Sequence, residues 1–103
     1  MKSCITCGMP LEGAHEKDFW MDTPDGPVCK FDSVGGKIKN SEEIFEGGVN
    51  FFAQAVADGD RELAARLTRK NMNGLAYWQA HPFMMLEGAM ATDQEFGTAM
   101  AKL

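Results

Sequence analysis

Apolar residues recur along the second half of the chain at helical spacing. Phe45, Val49, Phe52 and Val56 fall at steps of four, three and four, which puts them on one face of a helix. Asn40 precedes this stripe as an N-cap with Glu43 three residues on, and Glu42, Glu43 and Glu46 place negative charge where the helix dipole favours it. The pattern predicts a helix from about Ser41 to near Asp58, closed by Gly59. Asp60 then caps a second helix in which Leu63 and Leu67 share a face, while Arg61, Arg66, Arg69 and Lys70 lie largely opposite, as a solvated face. Asn71-Met72-Asn73-Gly74 threatens its continuity. Leu75 and Trp78 resume a spacing of three, so the helix either runs on to about Ala80 or restarts after Gly74, and Pro82 ends it. Thr92 with Glu95 forms a capping-box pattern ahead of a terminal helix carrying Phe96, Met100 and Leu103.

Before Asn40 the texture differs. Phe19, Trp20 and Met21 lead into Thr23-Pro24-Asp25-Gly26, where Pro presets a turn and Gly accepts a positive φ, and Val28 and Cys29 follow. This reads as a hairpin. Gly35-Gly36 followed by Lys37-Ile38-Lys39 adds a turn and a last short strand, and no helix is expected. The fold class is therefore α+β: short β-hairpins over residues 1–40, then two to four helices over residues 41–103, packed together as one unit.

A chain of 103 residues leaves no room for a large multidomain enzyme. Hydrophobic residues at 45% and charged residues at 24% match an ordinary globular protein, so disorder is not a sensible reading. The front forty residues, however, are poor in core and need a staple. The net charge of −5 opposes the phosphate attraction that drives nucleic-acid binding. No run of eighteen apolar residues suggests a membrane span, and Gly8 and Pro10 interrupt the start of the chain before a signal-peptide core could form, so a cytoplasmic protein is expected.

Three cysteines make a disulfide framework improbable in a reducing compartment and leave metal or thiol chemistry to explain them. Cys4 and Cys7, two residues apart and followed by Gly8, have the spacing of a zinc knuckle, a tight turn that points two thiolates at one ion. Cys29 follows at a loop length that a returning hairpin would span. In Cys29-Lys30-Phe31-Asp32 a carboxylate stands where a ribbon would carry its fourth cysteine, and carboxylate oxygen is an accepted zinc ligand. Asp32 repeats the spacing of the first knuckle and is the preferred fourth donor. His15 competes for that place, and water in an open position is the third option. A metal-free set of buried thiols and a redox pair at Cys4 and Cys7 are the other readings of the cysteines. The redox pair lacks the helix N-terminus that would lower its thiol pKa. The zinc deaminase pattern is incomplete, since His15-Glu16 lacks the intervening residue and Pro27-Val28-Cys29 lacks the second cysteine. His81, before Pro82, reads as a helix-end residue, and Phe45, Phe52, Trp78 and Phe96 read as plain core.

With Cys4-Ile5-Thr6-Cys7-Gly8-Met9-Pro10-Leu11 in view, the chain resembles a bacterial zinc-ribbon family that opens with C-x-x-C-G-M-P-L. The likeness continues through Asp25-Gly26, Cys29-Lys30-Phe31-Asp32 and the stretch from Gly35 to Glu43, covering about residues 1–50. Family members carry a second cysteine at the position of Asp32, so the resemblance transfers to Cys4, Cys7 and Cys29 and departs at Asp32. It implies zinc binding and, in some members, a transcription-regulator role.

The expectation is thus a non-enzymatic protein whose zinc ion is structural, bound by Cys4, Cys7, Cys29 and Asp32, and which acts as a small interaction or regulatory module. Zinc is preferred to iron, which thiolate-rich sites also accept. A nucleic-acid-binding ribbon is the alternative, with Arg61, Arg66, Arg69 and Lys70 as its sole candidate patch. An enzyme is disfavoured because no nucleophile-base set or phosphate loop accompanies the cysteines. Met84, Met85, Met90 and Met100 suit core filling or an adaptable surface, and residues 83–90 are the expected contact with a partner or second copy.

Overall fold

The computed structural model describes residues 3–8, 11, 17 and 19–103. Its elements run in the predicted order, two small antiparallel hairpins and then four helices. Strand β1 (Phe19–Thr23) pairs with β2 (Gly26–Cys29) across Pro24 and Asp25, with Thr23 opposite Gly26. The register shifts between Phe19 and Met21, where Trp20 is accommodated as an extra, exposed residue. A 3-10 turn, Lys30–Asp32, follows β2 directly; it was not expected, because three residues are too few for a periodic pattern. Strand β3 (Ser33–Val34) then pairs with β4 (Lys37–Ile38) around Gly35 and Gly36, both in the left-handed region that such a tight hairpin demands.

Helix α1 (Ser41–Ala55) begins as expected, with Asn40 Oδ1 accepting from the Glu42 N–H at 2.8 Å. Phe45, Val49, Phe52 and Val56 are all buried. The helix ends three residues before the expected Asp58. Val56 and Ala57 both turn inward, each donating to the Phe52 carbonyl, and Asp58 and Gly59 take left-handed conformations while Gly59 N–H reaches Ala53 O at 2.7 Å. Helix α2 (Arg61–Asn73) is capped by Asp60, whose Oδ1 accepts from Leu63 N–H. Of the two readings beyond Asn71, the restart is the one observed: Leu75 is extended, and α3 (Ala76–Ala80) begins after it. Gly48 matters where α1 crosses α2, since a Cβ there would lie 2.8 Å from Thr68 Cγ2.

Helix α4 (Asp93–Ala101) carries the predicted capping box in full, with Glu95 N–H on Thr92 Oγ1 and Thr92 N–H on Glu95 Oε1. Its inner face is narrower than predicted. Ala99 is buried, Phe96 and Met100 are half-buried, and Leu103 is exposed past the helix end. The methionines divide: Met85 and Met100 pack against the core, whereas Met84 and Met90 are exposed. Within residues 83–90 Leu86 is buried, and Phe83 packs edge-on against Trp78.

The basic face of α2 departs most from expectation. Arg66 Nη1 sits 2.7 and 2.9 Å from the two Glu95 oxygens, and Lys70 Nζ is 2.6 Å from Asp93. Arg69 donates to the carbonyls of Met85 and Ala89 while lying over the Phe45 ring, and Arg61 meets Glu46 and Asn50. Arg66, Lys70 and Arg69 thus fasten α4 and the segment before it onto α2, and Arg61 ties α2 to α1.

Buried apolar residues fall into two groups. The larger core runs from Ile44 to Ala99 and lies wholly within the helical half. The smaller holds Cys4, Leu11, Val28 and Cys29, and Ile38 packs against both. Two of the four buried members of the smaller group are cysteines. No helix among the described residues is long and apolar enough to cross a membrane.

Candidate metal centre

The segment from Cys4 to Gly8 folds into a tight turn, with Gly8 N–H donating to Cys4 O at 2.8 Å and Gly8 left-handed. The turn is anchored on β2 through Ile5 N–H to Pro27 O at 3.0 Å. That approach requires Gly26, whose Cβ would stand 2.7 Å from the Ile5 side chain. Strand β2 delivers Cys29, and the 3-10 turn after it rotates Asp32 back toward the sulfurs while Lys39 N–H holds Asp32 O at 2.8 Å.

One ligand atom from each of Cys4, Cys7, Cys29 and Asp32 lies within 4.8 Å of the others. Cys7 Sγ and Cys29 Sγ are 3.8 Å apart, and Cys4 Sγ is 3.7 Å from Asp32 Oδ2. A tetrahedral ion with metal–sulfur bonds of about 2.3 Å and metal–oxygen bonds of about 2.1 Å has sulfur–sulfur edges of about 3.8 Å and sulfur–oxygen edges of about 3.6 Å. Both separations match an edge. All three cysteines are free. Cys4, Cys29 and Asp32 are buried, and Cys7 is half-buried. The four residues could therefore hold a metal ion, and thiolate-rich donors in this shape suit a tetrahedral cation.

No family model, curated protein or solved structure matches the chain.

Crowding and burial perturb all four donors. Hydrogen bonds from Cys29 and then Cys7 outweigh burial and hold the Cys4 thiol far below the ordinary thiol range. The same exchange pushes Cys7 strongly upward, through its bonds to Cys29 and Cys4 and then burial, and Cys29 up to about 12, chiefly through its bond to Cys4. Burial raises Asp32 above the usual carboxylate range against the opposing bond from Thr6. Four such groups cannot all ionise together in a buried space, whereas a divalent ion favours the charged form of every one.

Three residues that sequence reasoning left out of the site frame it. Thr6, fully buried between the first two cysteines, places Oγ1 2.6 Å from Asp32 Oδ2 and 3.1 Å from Cys4 Sγ. Trp78 Nε1–H donates to Thr6 O, and Asn71 Nδ2–H donates to Cys7 O, each at 2.9 Å. Trp78 does belong to the core, as its spacing suggested, but its indole nitrogen also reaches the knuckle. A hydroxyl inside a C-x-x-C turn was a readable hint for Thr6. Nothing local marked Asn71 or Trp78, which lie 64 and 72 residues away from their acceptors.

His15, the competing fourth ligand, lies outside the described residues. His81 is at the end of α3 with its ring 4.6 Å from that of Tyr77, and it is not part of the donor set.

Proposed function

We propose that this chain is a non-enzymatic zinc-binding protein. Its ion is structural, bound by Cys4, Cys7, Cys29 and Asp32, and its helical half carries an interaction or regulatory surface, in keeping with the zinc-ribbon family it resembles. The observation that carries this reading is the convergence of three sulfurs and one carboxylate within 4.8 Å, with the Cys7–Cys29 and Cys4–Asp32 pairs at tetrahedral-edge separations. Two supports follow. Structural sites are closed, and three of these four donors are buried. Among the described residues the front half also buries few apolar side chains of its own, so a structural zinc site, worth an apparent contribution of about 10–16 kcal/mol in small finger peptides, supplies the term that orders it.

The partner in this reading is another protein or a second copy of the chain, met at the exposed Met84 and Met90 of residues 83–90. A nucleic-acid role is disfavoured, because Arg61, Arg66 and Lys70 are engaged with Glu46, Glu95 and Asp93 and the net charge is −5.

Elemental analysis of the purified protein should find one zinc per chain. The Co2+-substituted form should show the visible absorption of a tetrahedral thiolate-rich site, and Cys7→Ser should weaken it. Protein purified without metal that neither takes up Co2+ nor changes its spectrum would sink the reading.

A further inference from the structure

We infer that Thr6 is the positioning residue of this site: its hydroxyl aims the Asp32 carboxylate, and its main chain ties that aim to the helical half. The inference rests on reading Cys4, Cys7, Cys29 and Asp32 as metal ligands.

Asp32 differs from the three cysteines in having two rotatable bonds and two oxygens, so its geometry at an ion depends on what else grips it. The 2.6 Å separation between Thr6 Oγ1 and Asp32 Oδ2 is that of a charge-assisted O–H···O bond. A hydroxyl has one hydrogen bond to donate, and the carboxylate accepts it. Cys4 Sγ, 3.1 Å from Thr6 Oγ1, has its own donor in the Cys29 N–H at 3.4 Å. A carboxylate offers about four acceptor positions, so one bond from Thr6 leaves room for an ion. Three thiolates and a carboxylate around one divalent ion also leave excess negative charge, which a buried donor offsets.

Thr6 is itself held in place. It has no exposed surface, its carbonyl accepts from Trp78 Nε1–H at 2.9 Å, and the next carbonyl, that of Cys7, accepts from Asn71 at 2.9 Å. Both donors come from the helical half, Asn71 from α2 and Trp78 from α3. The hydroxyl is thus aimed at the carboxylate by a peptide that the helices clamp.

The test compares Thr6→Val, which keeps the shape and removes the hydroxyl, with Thr6→Ser, which keeps the hydroxyl. Zinc affinity is read by competition with a chromophoric chelator, and site geometry by the visible bands of the Co2+ form. Thr6→Val should bind zinc about 10- to 100-fold more weakly with shifted Co2+ bands, as loss of an outer hydrogen-bond partner does elsewhere. Thr6→Ser should match wild type in both. In an Asp32→Ala background Thr6→Val should add no further loss. Wild-type affinity and bands in Thr6→Val, or an equal loss with and without Asp32, would overturn the inference. If Thr6→Val does not fold, Thr6→Ser decides: unchanged affinity supports the inference, and a tenfold loss overturns it. A wild-type protein that binds no metal defeats the underlying metal reading instead.

Discussion

Removing the metal should dismantle the front of the molecule and leave the helices standing. The buried members of the larger core run from Ile44 to Ala99, so the helical half keeps every buried contact of its own when the ion leaves. Among the described residues, the buried apolar cluster of the front half holds only Leu11 and Val28 besides Cys4 and Cys29. An apparent contribution of about 10–16 kcal/mol exceeds what so small a cluster can replace. What the helices lose is specific: the acceptors of Asn71 and Trp78 on the knuckle. At about 0.5–1.5 kcal/mol net for each hydrogen bond, that is a destabilisation of about 1–3 kcal/mol. The assay is hydrogen exchange under chelation at neutral pH, with far-UV circular dichroism and the fluorescence of Trp78 in a Trp20→Phe background. Amides of β1 to β4 should lose protection, those of α1 and α2 should keep theirs at slightly reduced free energy, and Trp78 emission should move to the red. A single cooperative loss of all protection would refute the argument, as would protection of the hairpins unchanged by metal removal.

Two adjacent glycines in α1 should respond to alanine with opposite signs. Gly47 faces open space, so Gly47→Ala should stabilise by about 0.8–1 kcal/mol through helix propensity alone. Gly48→Ala would set a Cβ 2.8 Å from Thr68 Cγ2, on a side chain pinned by its own bond to Ala64 O, and the overpacking cost of about 1–3 kcal/mol should cancel or exceed that gain. Urea denaturation of both variants distinguishes them, and equal shifts would contradict the close crossing of α1 and α2. The third prediction concerns pH. The backbone N–H of Thr92 and then Arg66 hold the Glu95 carboxyl below its usual range. Its stabilisation is therefore complete above the unfolded-chain value of about 4.3 and disappears as the pH falls through the lower folded value. Glu95→Gln should melt below wild type at pH 7, and the gap should narrow as the pH falls below the unfolded-chain value; a gap that does not narrow with acidification would show that the carboxylate charge is not its source.

What could be read from the sequence was whatever a few consecutive residues decide. Thr23-Pro24-Asp25-Gly26 specifies its own turn, Asn40, Asp60 and Thr92 each cap a helix from within three residues, and the apolar stripe of α1 needs nothing beyond its spacing. The spacing of Cys4, Cys7, Cys29 and Asp32 was likewise local arithmetic, and the structure brings those four together. Contacts between distant segments were not legible. Arg66 and Arg69 look like a solvated face until the segment before α4 folds across them, and Trp78 looks like plain core until its indole N–H meets the carbonyl of Thr6. The end of α1 was missed by three residues for a related reason: Val56 and Ala57 leave the helix and bury against the core, while Gly59 still closes the end on Ala53 O.

Two long-range side-chain hydrogen bonds from the helical half to the front half converge on one turn. Ile38 packs against both apolar clusters, and the side-chain hydrogen bonds from Asn71 and Trp78 end on two successive carbonyls of the knuckle turn, those of Cys7 and Thr6. Carbonyls in that turn cannot satisfy themselves, because a turn tight enough to point Cys4 and Cys7 at one ion spends its local bond on Gly8 N–H to Cys4 O. The helical half supplies what the turn lacks. If an ion orders the knuckle, the same ion fixes the acceptors that α2 and α3 require, so a change at the sulfurs reaches the helices through two hydrogen bonds as well as through Ile38. A surface on the helices that responds to metal occupancy should therefore lie near the junction of α2 and α3, and replacing Asn71 with Ala should weaken that response while leaving the buried residues of α1 untouched.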